Sequence, residues 1–177
     1  NVLWSNEAGS VVVIDGGKFE TTGGSGRLLG MSNATEFTIN NGTFVHGSTG
    51  NNLFQVTGGA LITINDGEFS SPNYAGGIIW TSTAASKFVI NGGTFTAKEN
   101  VLASNGPVEI NGGTFYGIAQ LTRNDGGTLT ITGGTFNGNI DVTKKTSLTI
   151  SGEAVVKGNI TVTSDAVVTV DGGTVNG

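Results

Sequence analysis

The chain has 177 residues, enough for one domain, and carries 8 Lys and Arg against 13 Asp and Glu, a formal net charge of -5. Its cations stand singly or as Lys144-Lys145, so no basic stripe is available to neutralise a phosphate backbone and nucleic acid is not an expected partner. Cys is absent, which excludes disulfides and thiolate metal sites, and the 31 Gly follow no Gly-X-Y period, which excludes collagen.

Neither a basic leader followed by an apolar core nor an apolar run of about 18 residues is present, so direct membrane insertion is not expected. Short packets of Leu, Ile, Val and Phe divided by Gly, Asn, Ser and Thr read as many short strands. The chain stops at Val175-Asn176-Gly177, directly after a repeat signature, as a segment of a longer protein would.

The first packet, Val2-Leu3-Trp4, is followed about ten residues later by Ile14-Asp15-Gly16-Gly17-Lys18-Phe19. Packet and signature then recur: Arg27-Leu28-Leu29 with Ile39-Asn40-Asn41-Gly42-Thr43-Phe44, Asn52-Leu53-Phe54 with Ile64-Asn65-Asp66-Gly67-Glu68-Phe69, and Gly77-Ile78-Ile79 with Ile90-Asn91-Gly92-Gly93-Thr94-Phe95. Asn100-Val101-Leu102 precedes Ile110-Asn111-Gly112-Gly113-Thr114-Phe115, and Gly117-Ile118-Ala119 precedes Ile131-Thr132-Gly133-Gly134-Thr135-Phe136. Two weaker signatures, Ile150 to Val155 and Val170 to Val175, follow packets at Ile140-Asp141-Val142 and Ile160-Thr161-Val162. The anchoring Ile or Val recurs every 19 to 26 residues, too short a step for independent domains and suited to one turn of a stacked solenoid.

Each coil is predicted to hold three short strands: the packet, a second strand such as Leu129-Thr130-Ile131, and a third such as Thr135-Phe136. The second strand alternates, with aliphatics inward and Thr38, Thr63, Thr130, Thr149 and Thr169 outward. The fold class is therefore an all-β, single-stranded parallel β-helix of about eight coils. Stacked at about 4.8 Å, eight coils make a rod of roughly 38 Å. Residues 1–177 form one domain, with longer side loops in coils within 1–100 and compact coils in 101–177.

The Asn-Gly-Gly corner needs a backbone position at positive φ, which Gly takes freely, and an Asn or Asp that bonds locally. Stacking puts Asp15, Asn40, Asn65, Asn91 and Asn111 in one column as a structural ladder, continued less well by Thr132, Ser151 and Asp171. The competing reading, a hairpin meander with Asn-Gly turns, fits the near-constant step poorly. Corners between first and second strands are expected at Glu7-Ala8-Gly9, Thr57-Gly58-Gly59, Asn105-Gly106-Pro107, Asn124-Asp125-Gly126-Gly127 and Lys144-Lys145-Thr146.

In the first strand the expected inward rank is Trp4, Leu29, Phe54, Ile79, Leu102, Ala119, Ile140 and Ile160. Leu3, Leu28, Leu53, Ile78, Val101 and Ile118 would then point outward, giving way to Asn139 and Asn159 where the connections shorten. The longer loops are expected to fold over this apolar column.

Catalytic chemistry finds little support, and no catalytic residue, metal site or cofactor is assigned. Asp66 and Glu68 flank a turn glycine, but paired-carboxylate glycan hydrolysis needs two carboxyls about 5 to 9.5 Å apart around a sugar. His46 is the only histidine, so no His-based triad or multi-His zinc site can be assembled. The Gly-Gly pairs lack the Lys-Ser or Lys-Thr of a phosphate cradle. An ice-binding face is disfavoured because Val89 and Glu109 interrupt one threonine rank and Lys18 and Glu68 the other. Sugar binding is more plausible: Trp80, Tyr74, His46 and Tyr116 lie in or beside the side connections, where a ring can cover the apolar face of a hexose.

At these signatures the chain resembles the right-handed parallel β-helices of the pectate-lyase-like superfold. It resembles in particular the Ile-Asn-Gly-Gly-Thr-Phe repeat regions of large bacterial surface proteins, adhesin-like and carbohydrate-binding ones among them. The column at Asn40, Asn65, Asn91 and Asn111 is similar to that superfold's asparagine ladder. It departs from the superfold's enzymes in lacking a Ca²⁺-binding group of aspartates with a basic residue, or clustered aspartates. The resemblance implies a non-catalytic structural or adhesive module of an extracellular or surface protein, whose partner is a polysaccharide or host surface protein. A carbohydrate-binding module stands second and a polysaccharide lyase or glycoside hydrolase third. End-to-end or side-to-side self-association is a further expectation, because terminal coils expose strand edges.

Overall fold

A computed structural model describes residues 2–121 and 127–177, and among these residues twenty strands form one parallel sheet wound into a right-handed solenoid of about eight coils. Coils one to three each hold three strands: β1 (Leu3–Ser5), β2 (Val11–Ile14) and β3 (Lys18–Thr21); β4 (Leu29–Met31), β5 (Glu36–Ile39) and β6 (Thr43–His46); β7 (Phe54–Val56), β8 (Leu61–Ile64) and β9 (Glu68–Ser71). β10 (Ile79–Thr81) and β11 (Lys87–Ile90) belong to the fourth coil, whose third strand runs on into the fifth as β12 (Thr94–Ser104). β13 (Val108–Ile110) follows, and β14 (Thr114–Leu121) likewise joins the fifth coil to the sixth. The rest are β15 (Thr128–Ile131), β16 (Thr135–Phe136), β17 (Ile140–Val142), β18 (Ser147–Val156), β19 (Ile160–Val162) and β20 (Val167–Val175). Of the expected corner Asn124-Asp125-Gly126-Gly127, the first three residues lie outside the described range.

Register follows the signature. Ile14, Ile39, Ile64, Ile90, Ile110, Ile131, Ile150 and Val170 pair in sequence from coil to coil. Beside them Phe19, Phe44, Phe69, Phe95, Phe115 and Phe136 form a continuous stack, with ring centroids 5.1, 4.8, 4.7, 4.8 and 4.4 Å apart and planes within 5° to 8° of parallel. That spacing equals the separation of hydrogen-bonded strands, so rings and backbone share one repeat. Nearly parallel rings also mean that successive coils superimpose with little twist, a geometry that side-chain ladders stabilise. The column passes from Phe136 to Val156 and Val175, not to Val155. An added residue in the turn before Ala154 shifts the register there, which the six-residue signature concealed.

The two turn glycines serve different ends. Gly113 sits at φ +98, where a side chain would be strained, whereas a Cβ on Gly112 would stand 2.4 Å from the Asn91 carbonyl oxygen of the coil before. One glycine permits the bend and the other permits the stacking. Non-glycine residues at positive φ occur in other corners, as the adjacent pairs Asn33-Ala34, Lys144-Lys145 and Ser164-Asp165.

One part of the expected inward rank needs correction. Leu3 pairs with Leu29 and Trp4 with Gly30, so Leu3 heads the interior column and Trp4 faces outward with 43 % of its surface exposed. The packet Val2-Leu3-Trp4 has the same composition in either register, and only pairing to the next coil selects one. Ile79 and Thr81 pair with Leu102 and Ser104 in the fifth coil, leaving Trp80 with outward parity. The following inward rank is polar at Thr81 and Ser104, whose hydroxyls lie 2.8 Å apart. Thr81 Oγ1 also accepts from the amides of Asn105 and Gly106 at 3.0 and 2.8 Å, so this buried pair closes a corner.

Leu28, Leu53, Ile78 and Val101 have outward parity yet are fully buried. They belong to the same buried cluster as the inward ranks beside them. The side connections are themselves stacked: the amides of Gly47 and Thr49 donate to the carbonyls of Thr21 and Gly24 at 2.9 and 3.0 Å. Asn73 Nδ2 donates to Gly47 O at 2.9 Å, Asn100 Nδ2 to Ala75 O at 2.7 Å, and Asn51 to Ser25 O. Asparagine thus binds loop to loop as well as turn to turn.

Candidate functional site

Among the four aromatic candidates, His46 and Tyr74 are neighbours, with ring centroids 6.4 Å apart in an edge-to-face arrangement. Inward parity on β6 places His46 beside Phe44, and its surface is fully buried. Nε2 lies 2.9 Å from the carbonyl oxygen of Gly26 and Nδ1 3.2 Å from Ser71 Oγ. The carbonyl can only accept, so Nε2 carries the proton and Ser71 donates to Nδ1. Burial pushes this imidazole below its ordinary pKa, against a smaller upward pull from the Gly26 carbonyl. Ser71 is also fully buried, so the Ser-His contact binds two coils together and offers no exposed nucleophile.

Tyr74 lies against the backbone of Gly76, where a Cβ would fall 2.1 Å from its ring. Tyr116 is 47 % exposed and pairs with Thr96 on the third-strand side of the coil, a different side from Trp80. Sequence proximity to the side connections therefore groups four residues that the fold divides between an interior contact and two separate faces.

Trp80 is partly exposed, with the neighbouring strand positions Ile79 and Thr81 pointing inward. Its outward column consists of Trp4, Gly30, Gln55, Trp80, Ala103, Gln120, Asp141 and Thr161. At position 30 the absence of a side chain matters: a Cβ there would lie 1.9 Å from Trp4 Cε3. The Trp4 ring therefore reaches one coil along the axis and occupies the place a side chain at 30 would take. Two polar atoms in this column, Gln55 Oε1 and Trp80 Nε1, are buried without a hydrogen-bond partner among the described residues. Sequence reasoning missed Trp4 and Gln55 here; the usable signal was a glycine facing a tryptophan one coil away.

Among the described residues, the carboxylates near the turns have separate local partners. Asp66 Oδ1 accepts from the amide of Gly67 at 2.8 Å, Glu20 pairs with Lys18 at 2.7 Å, and Glu109 with Lys87 at 2.7 Å. No group of three or more His, Cys, Asp or Glu that could hold a metal ion occurs among the described residues. The Lys87 and Glu109 pair also crosses the outward threonine rank, breaking its regularity. No helix among the described residues is long and apolar enough to cross a membrane.

Fold and columns together define a right-handed parallel β-solenoid scaffold. Comparison of the chain with protein-family models, with curated proteins and with solved structures gives no match.

Proposed function

We propose that the chain is a non-catalytic structural and adhesive β-solenoid module of a bacterial surface or secreted protein, holding its side loops rigidly for contact with host or glycan ligands. The observation that carries this reading is the stacking of the side connections, hydrogen-bonded coil to coil. Loops held this way lose little conformational entropy on binding, so they suit a contact surface. Carbohydrate binding is the second reading, favoured by the outward column that carries Trp4 and Trp80. The test is to display the purified protein at high concentration on arrays of glycans and host surface proteins. Binding to at least one class is expected, and blanks on both would reject the adhesive reading. Acidic and neutral polysaccharides incubated at length with the protein, with and without Ca²⁺, should keep their chain length; shortening would reject the non-catalytic reading.

A further inference from the structure

Resting on the glycan-contact reading, we infer that the binding face is the outward column of the first strands, Trp4, Gln55 and Trp80, and that its ligand is a neutral, extended polysaccharide lying along the rod axis. Four features of the molecule carry this assignment.

The column holds both tryptophans of the chain, and tryptophan is the side chain with the largest apolar surface to set against sugar C–H groups. Trp4 belongs to the first coil and Trp80 to the fourth, but the Trp4 ring reaches the level of Gly30 in the second. From that level to the coil of Trp80 is two coil steps, about 10 Å, near the length of an extended disaccharide. A ligand that repeats along a line matches a surface that repeats along a line.

Polarity also points to a hydroxyl-rich partner. Trp80 Nε1 is an unpaired donor and Gln55 Oε1 an unpaired acceptor, on adjacent coils. Leaving such atoms buried and unpaired carries a desolvation cost. Both atoms are enclosed as the side chains stand; rotation of Gln55 and Trp80 toward a ligand would recover that cost, and a sugar hydroxyl both donates and accepts.

Charge narrows the class. Among the column residues the only ionisable one is Asp141, in the seventh coil, and no cation is present. Uronate or sulfate groups would find no counter-charge, whereas a neutral chain of equatorially linked hexoses presents alternating apolar faces and hydroxyl edges. Exposure along the column is uneven: Trp4 is exposed, Gln55 and Trp80 are partly exposed, and Gly30 and Ala103 are buried, so contact with a ligand concentrates at the three named side chains.

The test is affinity electrophoresis of the whole chain through gels containing soluble β-1,4-linked glucan, xylan or glucomannan, with polygalacturonate as the anionic comparison. Retardation by a neutral polymer is expected, weakened about tenfold or more by Trp4→Ala or Trp80→Ala, partly restored in Trp80→Phe, and unchanged in Tyr116→Ala. Gly30→Val, which displaces the Trp4 ring without removing it, should weaken binding as Trp4→Ala does. Because both tryptophans lie on this face, intrinsic fluorescence of the unmodified protein should shift on titration with the same glucan, a readout that does not depend on variants folding. Glycan binding that survives both alanine replacements and leaves the fluorescence unchanged would overturn this face and leave the adhesive reading standing. Retardation by polygalacturonate alone would overturn the ligand class, and binding to host proteins without any glycan would overturn the face. Blanks throughout would reject both.

Discussion

Each rung of the turn ladder points the same way. Asn40 Nδ2 donates to Asp15 Oδ1 at 2.6 Å, Asn65 to Asn40 at 2.7 Å, Asn91 to Asn65 at 2.9 Å, Asn111 to Asn91 at 3.0 Å, and Thr132 Oγ1 to Asn111 Oδ1 at 2.9 Å. Asp15 need only accept, whereas Asn65 must donate to one neighbour and accept from the other. Asn65→Asp removes a donor and sets a carboxylate against the Asn40 carbonyl oxygen, so it should cost about 1 kcal/mol. Asp15→Asn should be close to neutral. Urea midpoints of the two variants decide the matter, and equal losses would refute a directional ladder. His46 gives a second prediction at this scale. Its pKa is lowered in the folded state, so its contribution to stability is complete above the unfolded value of about 6.5 and is lost as pH falls from there toward the folded pKa. Wild-type melting temperature should fall between pH 7.5 and 5.5, and His46→Gln should flatten that fall. A parallel decline in both proteins would assign it to other groups.

Among the elements, β3, β6, β9, β12, β14 and β16 carry the phenylalanine stack, and its central members are sealed while Phe19 is only partly buried. Removing Phe95 would leave a ring-sized gap between Phe69 and Phe115 that the flat, hydrogen-bonded coils cannot close. Phe95→Ala should cost about 3–5 kcal/mol, and Phe19→Ala clearly less, as read from denaturant unfolding. Similar losses at both sites would show that the stack acts only through total apolar area. Strand boundaries were harder to read than ranks. β12 and β14 run through connections that read as loops from composition, because once those connections shorten the backbone can pair along most of its length. β18 and β20 likewise absorb their turns.

At the scale of the whole rod, every pairing joins a coil to its immediate neighbour. Stability should therefore build up coil by coil. A chain ending at Lys157, without β19 and β20, should keep its β-sheet circular dichroism and unfold cooperatively at lower denaturant. Complete loss of structure on that truncation would refute the nearest-neighbour picture. Both terminal coils show partly open apolar columns, through Leu3, Val12 and Phe19 at one end and Ile160 and Val168 at the other. The interior is continuous between them, so the surface columns keep a fixed spacing along the axis. That regularity is what a repeating ligand would use.

By itself the sequence determined the coil length, the aliphatic and phenylalanine columns and the asparagine register, since strand parity and turn chemistry are local and repeat with the signature. Tertiary structure alone decided that Leu3 and not Trp4 enters the core, because a packet of three apolar residues fits either parity until a neighbouring coil pairs with it. It also decided that Leu28, Leu53, Ile78 and Val101 are covered and that Trp4 crosses to Gly30. Those outcomes depend on what lies above a residue in the stack, and that neighbour is a whole coil away along the chain.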